Sequence, residues 1–192
     1  MIKKDILNLF KKQPKKYLSL AEIHNFIHSD KKTLKVTLSR MKKKEEIYSL
    51  GNAFYAVNPQ EVDFEQLACE LNRPSYISLE SALSHYGILS QVPSVLTLVS
   101  PKKSAKYALN NQQIEYSKIN KKLFCGFNIQ GQIAIAEAEK AFLDELYLIG
   151  IKKRHLDLNE LDLSKIKIDK FNKWLALFPA STKKLAKEIM QK

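Results

Sequence analysis

The stretch SDKKTLKVTLSRMKKKEEIYSLGNAFYAV, Ser29 to Val57, gathers six lysines and one arginine on a single predicted helix and then breaks into a hairpin. Cations at this density suit phosphate chemistry, because each lysine that meets a duplex phosphate releases condensed counterions. Leu34, Leu38 and Met41 follow an i, i+4, i+7 rule and give the helix a narrow apolar seam. Its opposite side carries Lys32, Val36, Ser39 and Lys43, flanked by Lys35 and Arg40. Small residues in the middle of that side permit close approach to base edges. Val36 suits a thymine methyl, and Arg40 has the bidentate fork that reads guanine. The candidate DNA-contacting residues are therefore Lys31, Lys32, Lys35, Ser39, Arg40 and Lys43, with Tyr48 and Asn52 on the hairpin. A lysine-rich helix face alone is usually a solvated face. Here helix order, the hairpin and the charge distribution coincide.

Other chemistry finds less support. His24 and His28 stand four apart, but no third ligand accompanies them at zinc spacing. Glu137, Glu139, Asp144 and Glu145 invite an acid–base reading. They lie on one predicted helix with no nucleophile–base pair beside them, and local ion pairs involving Glu139 and Lys140, or a tie to the helix near Ser78, explain them more simply. Five glycines and no G-x-x-x-x-G-K-[ST] loop leave no phosphate cradle. The two cysteines form neither a disulfide framework nor a metal pattern. The expectation is a protein without cofactor or metal that is not an enzyme. A second basic cluster, Lys102, Lys103 and Lys106, and a third, Lys118, Lys121 and Lys122, are either a further DNA-facing patch or scattered solvated surface.

The elements that must position these residues follow from periodicity. MIKKDILNLFKKQ places Ile2, Ile6, Leu7 and Phe10 on one helical face. Ser19 and Glu22 form a capping box, and Leu20, Ile23, Phe26 and Ile27 supply the stripe of the next helix. Ser29 or Asp30 caps the third. Gly51-Asn52 turns the chain between Tyr48–Leu50 and Phe54–Val57. Three helices and a hairpin in this order predict a winged helix-turn-helix over residues 1–58. A linker with a short helix from Asp63 to Leu71 fills 59–74. Residues 75–192 read as a mixed α/β domain, giving an α+β fold overall. There Ser78 caps a helix ended by Gly87, SVLTLVS and QIEYSKI are strands, Gln130-Gly131 turns a hairpin, and EAEKAFLDELYLIG is a helix. DKFNKWLALF and STKKLAKEIMQK supply two more helices.

The net charge is +12, and residues 1–58 hold 13 Lys and Arg against 5 Asp and Glu. An excess so concentrated favours an anionic partner for the first domain. Met1 leads straight into a charged amphipathic segment, and no apolar run is long enough for a bilayer, so a cytoplasmic protein is expected, with no membrane partner.

Several pieces resemble one family. KKKEEIYSLGNAFYAV is similar to the winged-helix segment of AbiEi-type antitoxins, with its basic helix, "kkGli" turn and "rGvYal" strand. YISLESALSHYGIL resembles the family's "YiSleSALyyhGli", VLTLVSPKK the strand after it, and IAIAEAEKAFLDELY the "va.pEKAllDlly" helix. Asn52-Ala53 stands where Gly-Val is usual, and Ala138 where proline is common. The resemblance implies an autorepressor and antitoxin of a type IV, abortive-infection system. Its winged helix binds inverted repeats of its own promoter. Its second domain neutralises a nucleotidyltransferase-like toxin, with direct contact not required. Repression by copies assembling cooperatively on DNA is compatible with a monomer in solution. The alternatives are a regulator whose second domain senses a small molecule, and a nucleic-acid-modifying enzyme targeted by the winged helix.

Overall fold

A computed structural model describes residues 2–109 and 112–191. Met1 and Lys192, which the sequence places at the ends of the first and last helices, lie outside them. The chain is a mixed α+β protein that divides into two compact units, one holding the residues up to 67 together with Leu109, the other 68–108 and 112–191. No helix among the described residues is long and apolar enough to cross a membrane.

The first unit runs α1 (Ile2–Lys12), β1 (Tyr17–Ser19), α2 (Leu20–Ile27), α3 (Lys31–Lys43), β2 (Tyr48–Ser49) and β3 (Phe54–Ala56). The strands form an antiparallel sheet in the order β1-β3-β2, with Tyr17 and Tyr48 both opposite Ala56. Its core is Ile6, Leu9, Phe10, Leu18, Ile23, Leu34, Leu38, Met41 and Ile47. The Ser19 capping box forms as expected: the Glu22 amide donates to Ser19 Oγ, and the Ser19 amide to Glu22 Oε2. The α2 stripe needs correction, because Phe26 is 57% exposed. Leu20, Ile23 and Ile27 cluster on one side of a two-turn helix, and Phe26 falls about 60° beyond Ile23. β1 is absent from the sequence reading, since three residues show no alternation that periodicity can detect.

Next, α4 (Phe64–Leu71) starts where the Gln66 amide donates to Asp63 Oδ1. The second unit continues with β4 (Tyr76–Ile77), α5 (Leu79–His85), β5 (Val95–Ser100), β6 (Ala105–Leu109), β7 (Gln112–Lys118), β8 (Phe127–Gln130), β9 (Ile133–Ala136), α6 (Ala138–Gly150), α7 (Ile168–Leu175) and α8 (Ala180–Met190). The strands make one mixed sheet in the order β6-β7-β5-β4-β9-β8. β5 runs parallel to β7 and β4 parallel to β9, while β4–β5 and β8–β9 are antiparallel. α6 packs against α5, α7 and α8. It buries Ala141, Phe142, Leu143 and Leu146, and also Glu139, Lys140, Asp144 and Glu145. Gly87 ends α5 as expected, at φ +66, with the Ile88 amide donating to Leu83 O across it. Ser78 occupies the N-cap position of α5 but makes no cap bond. Its hydroxyl is drawn instead to Asp144, 66 residues away.

Candidate nucleic-acid interface

α3 starts cleanly because Asp30 caps it. The Lys32 and Thr33 amides both donate to Asp30 Oδ1 at 2.9 Å, and the Thr33 hydroxyl first, then these amides, hold the Asp30 carboxyl below its usual range. His28, left-handed at φ 50, ends α2 and lets α3 begin three residues later. One face of α3 then buries Leu34, Leu38 and Met41. Its remaining faces present Lys31, Lys32, Lys35, Val36, Ser39, Arg40, Lys42 and Lys43 to solvent. α3 holds no acidic residue. Among the described residues, none of its six cations makes an ion pair, whereas Lys3 and Lys15 nearby in sequence are paired with Glu46 and Glu22. Six cations on four turns with no counter-charge repel one another, and an anionic ligand relieves that repulsion.

The hairpin keeps its predicted place. The Leu50 amide donates to Phe54 O and the Phe54 amide to Gly51 O, both at 2.8 Å. Gly51, Asn52 and Ala53 all have positive φ, at 85, 44 and 60. Tyr48, 41% exposed, and Asn52, at the tip, both reach solvent. The Leu20 amide donates to Ala53 O at 2.8 Å, which ties the tip to the start of α2. Ala53 has no glycine freedom for its left-handed backbone. Ala53→Gly is therefore expected to stabilise the protein by about 0.5 kcal/mol, the relieved strain less the added freedom of the unfolded chain. Thermal melts read this as a rise of about 1–2 °C.

The other predicted basic residues sit in the second unit. Lys102 and Lys103 are exposed in the loop after β5, and Lys106 is exposed on β6. Unlike the α3 cations, Lys106 has a counter-charge, Glu115 at 3.1 Å. Lys118, Lys121 and Lys122 are exposed at and after the end of β7.

The carboxylates that invited catalysis are all engaged. Glu137 accepts from Lys170 Nζ at 3.0 Å, and Glu139 from the Lys167 amide. Lys140 makes an expected local ion pair, with Asp144 one turn on and both fully buried, and the expected tie to the Ser78 helix runs through Asp144. The Tyr76 and Ser78 hydroxyls donate to Asp144 Oδ2 at 2.9 Å, and Lys140 Nζ donates to Tyr76 Oη at 2.9 Å. Burial raises the Tyr76 phenol well above its ordinary value, and Asp144 pushes it the same way. This cluster locks β4 and the start of α5 onto α6.

A second network, unforeseen in the sequence, centres on Arg154. Its guanidinium reaches Glu80 of α5, Glu115 of β7 and Glu145 of α6. Only the convergence of three distant acids marks that arginine, and no local spacing reveals it. Glu145 Oε2 is buried without a hydrogen-bond partner. Burial, then the Glu80 charge, raises the Glu145 carboxyl from 4.5 to about 7, against the pull of Arg154. Between those values the folded chain holds a proton that the unfolded chain has lost, so this group's contribution falls as pH rises from 4.5 to 7. Glu145→Gln removes that dependence. The variant is expected to gain on the order of 3 kcal/mol over the parent at pH 8 relative to pH 4, from 1.36 kcal/mol per unit, as read by urea titrations at both pH values.

Among the described residues no three His, Cys, Asp or Glu side chains gather as a metal site, and His24 and His28 stand on and just after α2 without a third ligand. No family model matches the chain, and no curated protein matches it.

Proposed function

We propose that the protein is a double-stranded-DNA-binding autorepressor and the antitoxin of a type IV, AbiE-like abortive-infection system. Residues 1–58 act as a winged helix-turn-helix, with α3 in the major groove and the β2–β3 hairpin as the wing. The observation that carries this reading is the set of six cations on α3, none in an ion pair with a described residue, opposite a buried Leu34–Leu38–Met41 seam. Lys31, Lys32, Lys35 and Lys43 contact phosphates. Ser39 and Arg40 read base edges, and Tyr48 and Asn52 contact the flanking backbone. The partner is the inverted repeats of the chain's own promoter, occupied cooperatively by copies that assemble on the DNA.

Support for the antitoxin role comes from resemblance together with packing. The matched segments YISLESALSHYGIL and IAIAEAEKAFLDELY meet in one buried cluster, and Tyr76, Ser78, Lys140 and Asp144 are letters of those matches. The shared letters thus have a structural reason, and the second domain neutralises the toxin without chemistry of its own. Co-expression with a nucleotidyltransferase-like toxin, sought in the reading frames beside the gene, tests this. Growth is expected to be restored by the full chain and equally by a Lys32→Ala/Lys43→Ala variant that has lost repression. Continued growth arrest with the full chain present refutes the antitoxin half.

A further inference from the structure

The second unit contains a cleft of about 790 Å³ that the DNA-binding reading leaves unused. It opens between the β6–β7 end of the sheet and the last turn of α6, entirely among residues 104–153. Its volume lies within the roughly 300–1,000 Å³ of small-molecule sites and is far larger than a single ion needs. One part of its lining is cationic: Lys106, Lys118 and Lys153, all exposed. Another is apolar and aromatic: Tyr147, Leu148 and Ile151.

The charge balance decides the sign of the site. Glu115 is the one carboxylate on the lining. Its Oε2 is paired with Lys106 at 3.1 Å and its Oε1 with Arg154 at 3.3 Å, so it is compensated twice. Lys118 and Lys153 make no ion pair with any described residue. The cleft is therefore positive. Ammonium groups on flexible stems are point charges suited to a phosphoryl group rather than to a planar carboxylate clamp. Tyr147 and Ile151, a turn apart on the same wall, offer a face for a flat or apolar body. We infer that this cleft binds a small phosphate monoester with an aromatic body, of the size of a nucleoside monophosphate, through Lys118 and Lys153. Such a ligand occupies the second unit independently of α3, so this inference and the DNA-binding reading stand or fall separately.

Isothermal titration of the full chain with AMP, adenosine and inorganic phosphate, each in low salt, tests it. AMP is expected to bind with a dissociation constant below about 1 mM, with adenosine and phosphate each at least tenfold weaker. Lys118→Ala/Lys153→Ala is expected to weaken AMP tenfold or more with an unchanged melting temperature, and the double Lys→Arg variant to retain most of the affinity. Absence of AMP binding at about 10 mM, where a site of millimolar affinity is mostly filled, overturns the inference. So does equal affinity in the Ala variant, or phosphate binding as tightly as AMP. Loss of duplex binding in the Ala variant, without AMP binding in the parent, overturns it too and assigns these lysines to nucleic acid.

Discussion

Reversing two charges on α3, Lys35→Glu with Lys43→Glu, is expected to reduce duplex binding by at least a hundredfold at 100 mM salt while leaving the melting temperature within about 1 °C. Two lost phosphate contacts and two new repulsions act together, and each lysine–phosphate contact carries about 0.9 of the logarithmic salt slope. Both side chains are exposed and make no ion pair with a described residue, so their exchange leaves the Leu34–Leu38–Met41 seam untouched. Gentler variants separate the roles. Lys32→Ala and Lys43→Ala weaken all sequences alike and flatten the slope by about one unit each. Arg40→Ala costs about 1–3 kcal/mol on the operator only and relaxes sequence preference. Anisotropy on operator and scrambled duplexes distinguishes the two patterns. Equal binding by all the variants removes α3 from the interface.

The second large effect is expected at Lys140. Lys140→Met leaves the fully buried Asp144 carboxylate with two hydroxyl donors and no counter-charge. Breaking a buried pair from one side costs about 3–5 kcal/mol, a large part of the stability of a domain this size. Asp144→Leu is expected to cost about as much, because it strands the equally buried Lys140 ammonium without a counter-charge. The double variant Lys140→Met/Asp144→Leu is expected to recover most of the single loss, since a buried pair and a packed apolar pair are often near-equivalent. Urea denaturation of the three variants closes the cycle. A Lys140→Met loss below about 1 kcal/mol contradicts the cluster's role as the lock between β4, α5 and α6.

What the sequence reveals follows the range of the forces involved. The α3 seam, the Asp30 and Ser19 caps, the Gly51 turn and the Gly87 stop are set within a few residues, and each is found where its local chemistry puts it. Phe26 misleads because eight residues are too few to define a stripe. β4 escapes notice because two residues have no period, yet it holds the centre of the six-stranded sheet. Ser78 reads as a cap from its neighbours alone, but a fully buried carboxylate 66 residues away outcompetes the local amides for its hydroxyl. Lys140 reads as a member of local ion pairs or a tie to the Ser78 helix, but its complete burial is not legible. One of its two partners, Tyr76, lies on another segment, 64 residues away. The candidate DNA residues were readable because surface cations need no tertiary partner to be recognised. The Arg154 network and the cleft were not, since each forms only when β6, β7 and α6, or α5, β7 and α6, come together.

Fluorescence anisotropy of the full chain on its own upstream DNA and on a scrambled duplex, from 50 to 200 mM salt, tests the DNA-binding proposal at its root. Tight, cooperative binding to the upstream DNA is expected, lost by a factor of about 10² per bound copy across that range for four lysine–phosphate contacts, with the scrambled duplex bound far more weakly. Equal, weak binding to both duplexes contradicts a specific autorepressor and reduces the α3 cations to non-specific attraction.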